Sequence, residues 1–454
     1  WYLFGILHFG ENRNCITNVY SSPYFKQGRP TFPSRRRWRV IRHNKNSNLT
    51  IEIIQKPVPG MLTAARETSI VHFSNALIAF LFAASAPVAI IIGVGLKGGL
   101  TESQIASWIF GGFAINGLLT IMMSTIYRQP LAFFWTISGS VLVGPALVNS
   151  TFSEVIGAFL GTGILLLVLG LSGAVKKIMA FLPMPIIMAM VAGVFLSFGL
   201  DWIRALGDDP WVAGAMTVAF VLLSINSKVA QRFPPMIGVL IVGIIAIAVT
   251  GSFSPSTNFH YSFVTPEFHR PEFSLAAMIE LVVPLAVTVL AAQNAQGIAI
   301  LQTRGFAPPV NAITAGCGAW SLVSGVFGTV STCLTGPVNA ILSSSGDRRH
   351  QYTGAILIGF MAIIFGLHAP LFTKFLLASP PAFIATLAGL ALVKILQSAF
   401  QVSFSRKFTL GALISFLVTL ADQTILNIGA PFWGLVFGYL TSWLLERGDF
   451  KSGD

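Results

Sequence analysis

From His72 to Leu445 the chain is a succession of apolar runs, most of about 20 residues, separated by short polar and charged clusters. A helical run of that length crosses the hydrocarbon core of a bilayer. The runs fall at 72–96, 104–125, 131–149, 153–172, 184–200, 210–225, 233–250, 276–302, 310–324, 326–345, 351–367, 370–393, 407–421 and 426–445. The pattern predicts an all-α polytopic membrane protein with about 14 transmembrane segments. Alternating sides from an inner start puts 14 Lys and Arg inside, among them Arg66, Arg128, Lys176, Lys228, Arg232 and Lys394. Only Lys97, Arg204, Arg270 and Lys374 fall outside. Cytoplasmic loops carry such an excess of cations, so both termini are expected inside.

Composition agrees. Apolar residues make up 54% of the 454 positions and charged residues 10%, and the mean hydropathy is +0.76. Soluble domains carry roughly 25% charged residues, so a soluble enzyme or nucleic-acid binder is excluded. The net charge of +12 is concentrated at one end: residues 1–60 hold 10 of the 28 Lys and Arg and two acids. This basic extension could lie on anionic lipid. The favoured reading is instead sequence upstream of a true start at Met61, in which case a chain beginning there inserts and transports normally. The organisation read from the sequence is then an extension at 1–60, a first seven-span repeat at 61–250, an outer loop at 251–275, a second seven-span repeat at 276–446 and a tail at 447–454.

Seven spans per half makes the halves inverted relative to each other, as in many secondary transporters. One local match supports this. SVLVGPAL at 140–147 aligns with TCLTGPVN at 332–339, sharing Leu142, Gly144 and Pro145 with Leu334, Gly336 and Pro337. Both stretches lie in the third span of their half. Both spans, the third and the tenth, are rich in glycine, proline and hydroxyl residues and are predicted to be broken. Broken backbone at membrane depth is tolerated only where protein or a cavity satisfies it, and the half-helix that follows aims its N–H groups at an anion site.

The eighth span adds Gln293, Asn294 and Gln296, three carboxamides within four positions. On an α-helix Gln293 and Gln296 share a face. Carboxamides can bind a carboxylate without burying a charge, or can simply hold helices together. Ser85 lies at comparable depth in the first span. Glu280 enters the eighth span near its outer end, about 20 Å along the helix from Gln293. Glu280 is an interfacial residue or a proton carrier. No zinc, nucleotide or nucleophile motif occurs, and Cys15, Cys317 and Cys333 have no CxxC spacing. No enzyme activity, metal or cofactor is expected.

At these residues the chain resembles the BenE family of benzoate/proton symporters, over about 65–446. AQNAQGIA at 292–299 is similar to the family's SQNAPGIA, RGFAPPV at 304–310 to its AGY-x-x-PV turn, and FWTISG at 134–139 to its AWSTPG. LAGLAL at 387–392 and PFWGL at 431–435 are similar to its later signatures. Ser138 stands where the family has proline, and STCLTGP at 331–337 replaces a pattern like SVGIAAI.

The resemblance implies the architecture of the uracil and sulfate transporter superfamily, with a core domain (spans 1–4 and 8–11) and a gate domain (spans 5–7 and 12–14). It implies import of a small organic carboxylate, aromatic as benzoate is, with protons across a bacterial inner membrane. Phe134 and Trp135 would face the ring. Thr136, Ser138, Gly139, Ser140, Ser331 and Thr332 would meet the carboxylate, and Gln293, Asn294 and Gln296 would complete the wall. Substrate, protons and the bilayer are the expected partners, with a homodimer compatible and no nucleic acid. The rival readings are a nucleobase or inorganic-anion transporter of the same superfamily, and a channel or non-transporting receptor.

Overall fold

The computed structural model describes residues 51–52, 54, 57–175, 177, 183–225, 235–254, 262–423, 425–426 and 430–451. The basic extension up to residue 50 lies outside them, as do Lys176, Lys228, Arg232 and the middle of the outer loop. In chain order the helices are α1 (Met61–Glu67), α2 (Ile70–Ala84), α3 (Ala86–Lys97), α4 (Glu102–Phe110) and, after a π turn at Gly111–Ile115, α5 (Asn116–Tyr127). Strand β1 (Phe133–Trp135) leads into α6 (Ile137–Asn149), followed by α7 (Phe152–Ser172), α8 (Met184–Asp208), α9 (Pro210–Ile225) and α10 (Pro235–Thr250). The second half holds α11 (Leu275–Val287), a π turn at Thr288–Asn294, α12 (Ala295–Thr303) and α13 (Val310–Gly325). Strand β2 (Thr332–Leu334) leads into α14 (Gly336–Leu342), then α15 (Tyr352–Leu367), α16 (Ala369–Leu377), α17 (Pro381–Ser403), α18 (Thr409–Ala421), α19 (Ala430–Leu445) and α20 (Arg447–Lys451).

Among the described residues six helical stretches are long and apolar enough to cross a membrane, or seven when the bent pair α15–α16 counts as one. Fewer than fourteen qualify because several apolar runs are not single long helices. The runs at 131–149 and 326–345 are each a strand plus a half-helix. The run at 370–393 is divided at Pro380 and Pro381, where α17 starts anew, and α16 bends off α15 by 63° at His368. Lys394, expected in a loop, consequently lies within α17. Helix α8 runs on to Asp208, so Asp201 is inside a helix and pairs with Lys97 (2.5 Å) and Arg204 (3.0 Å).

Close helix approach rests on small residues, as in other membrane proteins. A Cβ on Gly163 of α7 would stand 3.1 Å from the Gly318 carbonyl of α13. The loop between α10 and α11 ties four elements together. Val264, Glu267, His269 and Glu272 donate their N–H groups to Leu367 O, Ser107 Oγ, Val326 O and Ser153 O, at 2.9–3.1 Å.

Two helices without a side-chain cap of their own borrow carboxylates. Glu446 accepts from the N–H groups of Leu410 and Gly411 at the start of α18. Glu52 accepts from those of Asn311 (2.9 Å) and Ala312 (3.0 Å) at the start of α13. The Glu52 carbonyl also accepts from Tyr127 Oη at 3.2 Å. One residue upstream of Met61 thus takes part in the fold. On the same end, Arg128 adopts a left-handed backbone (φ 49°), uncommon without glycine. Its guanidinium reaches Glu67 at 2.7 and 2.8 Å, and Tyr352 Oη donates to the same carboxylate at 2.5 Å.

An N-terminal carboxylate cap is worth about 1 kcal/mol. Glu52→Ala should lower stability by that amount, and truncation to Met61 by at least as much, measured by thermal unfolding in detergent. Equal stability of all three proteins would show the contact to be idle. Burial pushes the Glu67 carboxyl up, but the Tyr352 hydroxyl and the Arg128 guanidinium together hold it below the usual carboxylate range. A depressed folded-state pKa stabilises above the unfolded value and is lost as pH falls through the folded one. Glu67→Gln should therefore destabilise the protein at pH 7 and flatten the loss of stability below about pH 4.

Candidate functional site

β1 and β2 pair antiparallel, with Phe133 opposite Leu334, Phe134 opposite Cys333 and Trp135 opposite Thr332. The ladder continues past each end: Thr136 N donates to Ser331 O and Thr335 N to Ala132 O, both at 3.0 Å. A threonine therefore stands at the same place in each unit, between strand and half-helix. Thr136 caps α6 by accepting from Gly139 N at 3.1 Å. Thr335 precedes α14, where Pro337 occupies a first-turn position at which its missing N–H costs nothing. The Thr335 hydroxyl is buried and has no partner among the described residues.

This correspondence replaces the one read from the sequence. Gly144 and Pro145 lie in the body of α6, whereas Gly336 and Pro337 open α14. The two stretches match in letters, but the structural equivalence pairs Thr136 with Thr335, seven residues out of that register.

The outward backbone edges of the strands are met by side chains. Thr120 Oγ1 accepts from Phe133 N (2.8 Å) and donates to Phe133 O (3.1 Å). Ser124 does the same for Leu131. Asn339 Oδ1 accepts from Ala132 N at 2.9 Å, Ser321 Oγ from Thr332 N at 2.9 Å, and Asn294 Oδ1 from Leu334 N at 2.7 Å. None of these backbone partners except Asn294 was singled out in the sequence. The usable signal was polar residues at membrane depth, and for Thr335 its place just before Gly-Pro.

Several candidates are brought together. Gln293 Nε2 reaches Ser138 Oγ at 3.4 Å, and Thr136 Oγ1 reaches Thr288 Oγ1 at 3.5 Å. Gly139 permits this approach, since a Cβ there would stand 2.9 Å from Leu285 of α11. Gln296 lies over the start of α14, where a Cβ on Gly336 would meet its Oε1 at 2.6 Å. The π turn separates Gln293, which is buried, from Gln296, which is exposed. Widened turns of this kind often mark functional sites.

Other candidates are placed differently. Asn294 is spent on Leu334 and on Cys317 Sγ (3.7 Å), so it is a strut of β2. The Thr332 hydroxyl donates to Asn116 Oδ1 at 2.8 Å, and Ser140 Oγ returns to Thr136 O at 3.0 Å. Ser331 is fully buried, and its carbonyl is a rung of the ladder. Phe134 and Trp135 are 2% exposed, with ring centroids 5.5 and 5.0 Å from Phe113. Ser85 lines a separate apolar cavity at the break between α2 and α3. Glu280 is 3% exposed within α11.

Comparison with known proteins gives the family and the fold. A profile of the family described as "Benzoate membrane transport protein" matches residues 66–444. "Inner membrane protein YdcO" of Escherichia coli (strain K12) is 29% identical over 80% of this chain and 92% of its own. "Benzoate membrane transport protein" of Acinetobacter baylyi (strain ATCC 33305 / BD413 / ADP1) is 26% identical over 82% of this chain and 94% of its own. Among solved structures, the transmembrane domain of a cyanobacterial bicarbonate transporter, BicA, superposes with a TM-score of 0.56 at 15% identity, covering 82% of this chain and 97% of that one. The murine Solute Carrier 26 family member A9 anion transporter, in its inward-facing state, gives 0.57 at 14% identity, covering 87% and 73%. At these identities the structural likeness shows the fold alone.

The hydrogen bonds separate the two neighbouring carboxamides. Asn294→Leu leaves the Leu334 N–H unmet at membrane depth and should cost about 1–3 kcal/mol of stability. Gln293→Leu should leave stability nearly unchanged and weaken ligand binding by about 1–3 kcal/mol. Thermal unfolding together with calorimetric titration of candidate ligands measures both quantities. Equal effects of the two substitutions on both would contradict the division of roles.

Proposed function

The chain belongs to the benzoate membrane transport family, whose members are transporters and not enzymes, and from that membership we propose a secondary active importer of small organic carboxylates, aromatic ones such as benzoate foremost, driven by protons. One observation carries the proposal. Two threonine-led helix starts, at Thr136 and Thr335, flank the strand pair beside Ser138 and Gln293, and none of these groups is charged. Partial positive charge at helix N termini favours an anion, while hydroxyl and carboxamide groups orient it. A neutral site of this kind holds a carboxylate without the grip of a buried cation, so release costs less.

In this reading the fourteen segments form two inverted halves of seven, 61–250 and 276–446, joined by the outer loop. A core carrying the strand pair would move against a gate made of α8–α10 and α17–α19. Both termini would face the cytoplasm of a bacterium from its inner membrane, and two copies would associate as a dimer. Glu280 would carry the proton. It is buried on the helix that continues into Gln293, and a membrane-embedded acid is a functional residue by default. The inorganic-anion reading draws on the bicarbonate and anion transporters of the same fold, whose small substrates need no apolar wall.

Uptake into proteoliposomes, with a competition panel of benzoate, aliphatic carboxylates, uracil and bicarbonate, should rank the aromatic carboxylates first. Preference for bicarbonate or uracil would replace the substrate. Glu280→Gln should bind substrate yet fail to concentrate it under an imposed pH gradient. Undiminished gradient-driven accumulation would remove Glu280 as the proton carrier.

A further inference from the structure

Two helix breaks face one void. α2 gives way to α3 at Ser85, whose backbone (φ −95°, ψ −101°) is not helical. α15 and α16 meet at His368. The cavity between these breaks has a volume of about 860 Å³ and is also walled by Leu240 of α10 and Leu387 of α17. Only Ser85 and His368 bring polar side chains to it, and both are turned to their own helices. Ser85 Oγ donates to Phe82 O at 3.0 Å, and His368 Nδ1 lies 2.6 Å from Ile364 O. Phe365, with ring centroids 5.7 Å from Phe80 and 4.1 Å from Phe372, forms an aromatic wall.

The rim is apolar as well. Leu81, Ile244 and Ile364 are exposed, Ile364 by 60%, on helices read as crossing or entering the membrane. The cavity opens at this rim, so it is filled by whatever surrounds the protein there. Water gains no hydrogen bonds from such a wall, and apolar cavities stay dry. The fluid that fits both the wall and the rim is the surrounding hydrocarbon. We propose that this cavity is a binding site for an acyl chain of a bilayer lipid, which enters sideways past Leu81 and Ile364 and seats between the α2–α3 break and α16–α17.

The test uses the full chain reconstituted with a phospholipid bearing a photoactivatable diazirine in mid-chain, with adducts mapped by mass spectrometry. Leu376 and Leu387 are buried in the wall, out of reach of lipid that merely surrounds the protein. Val168 and Ile245 face outward and serve as the reference. Adducts are expected at Leu376 and Leu387 as well as at the reference positions, and Ala84→Trp, which fills the cavity, should abolish the first pair and spare the second. Adducts confined to outward-facing positions would overturn the proposal, as would wall adducts that survive the filling substitution. The wild-type map decides the matter even where the variant fails to fold, and no step of it depends on transport.

Discussion

Two three-residue strands lie buried among apolar helices, and the site exists because their backbone is satisfied there. Hydrocarbon offers no hydrogen bonds, so each extended residue needs a protein partner. β1 and β2 satisfy each other on their inner edges. On the outer edges Thr120, Ser124, Ser321, Asn294 and Asn339 substitute for neighbouring strands. These five side chains come from α5, α13, the second π turn and α14, so the strands are held from both halves of the chain at once.

The same constraint accounts for the π turns. Trp320 Nε1 donates to Ile115 O at 2.8 Å, repairing a carbonyl at the first. At the second, the wider turn sends Asn294 toward Leu334 while Gln293 reaches Ser138. A regular α-helix would have put Gln293 and Gln296 on one face. What results is a pair of helix starts with neutral polar groups beside them.

Ionic contacts gather at the ends of the helices, where solvation is available. Glu67, Arg128 and Tyr352 tie α1 to the segment that leads into β1 and to α15. Glu52 and Glu446 supply caps to α13 and α18 from distant positions. On the opposite side an extended loop donates backbone N–H groups to four elements. These contacts brace a scaffold whose interior is held by apolar packing and close glycine crossings.

By itself the sequence determined that the chain crosses a membrane, that its third and tenth apolar runs are broken, and that carboxamides lie at depth in the eighth. These are legible because hydrocarbon admits few polar or helix-breaking residues, so each one stands out. It did not determine which polar residues face a ligand. Asn294 reads like a ligand and meets the Leu334 backbone, Thr332 reads like one and donates to the Asn116 side chain, while Thr335 went unnoticed and leads a half-helix. The Gly-Pro match set the two halves in the wrong register, because letters shared in a glycine-rich chain carry no geometry. Only the tertiary structure decides such questions. A hydrogen-bonding group is committed by the partner brought to it, and the partners here stand from 7 to 207 positions away in the chain.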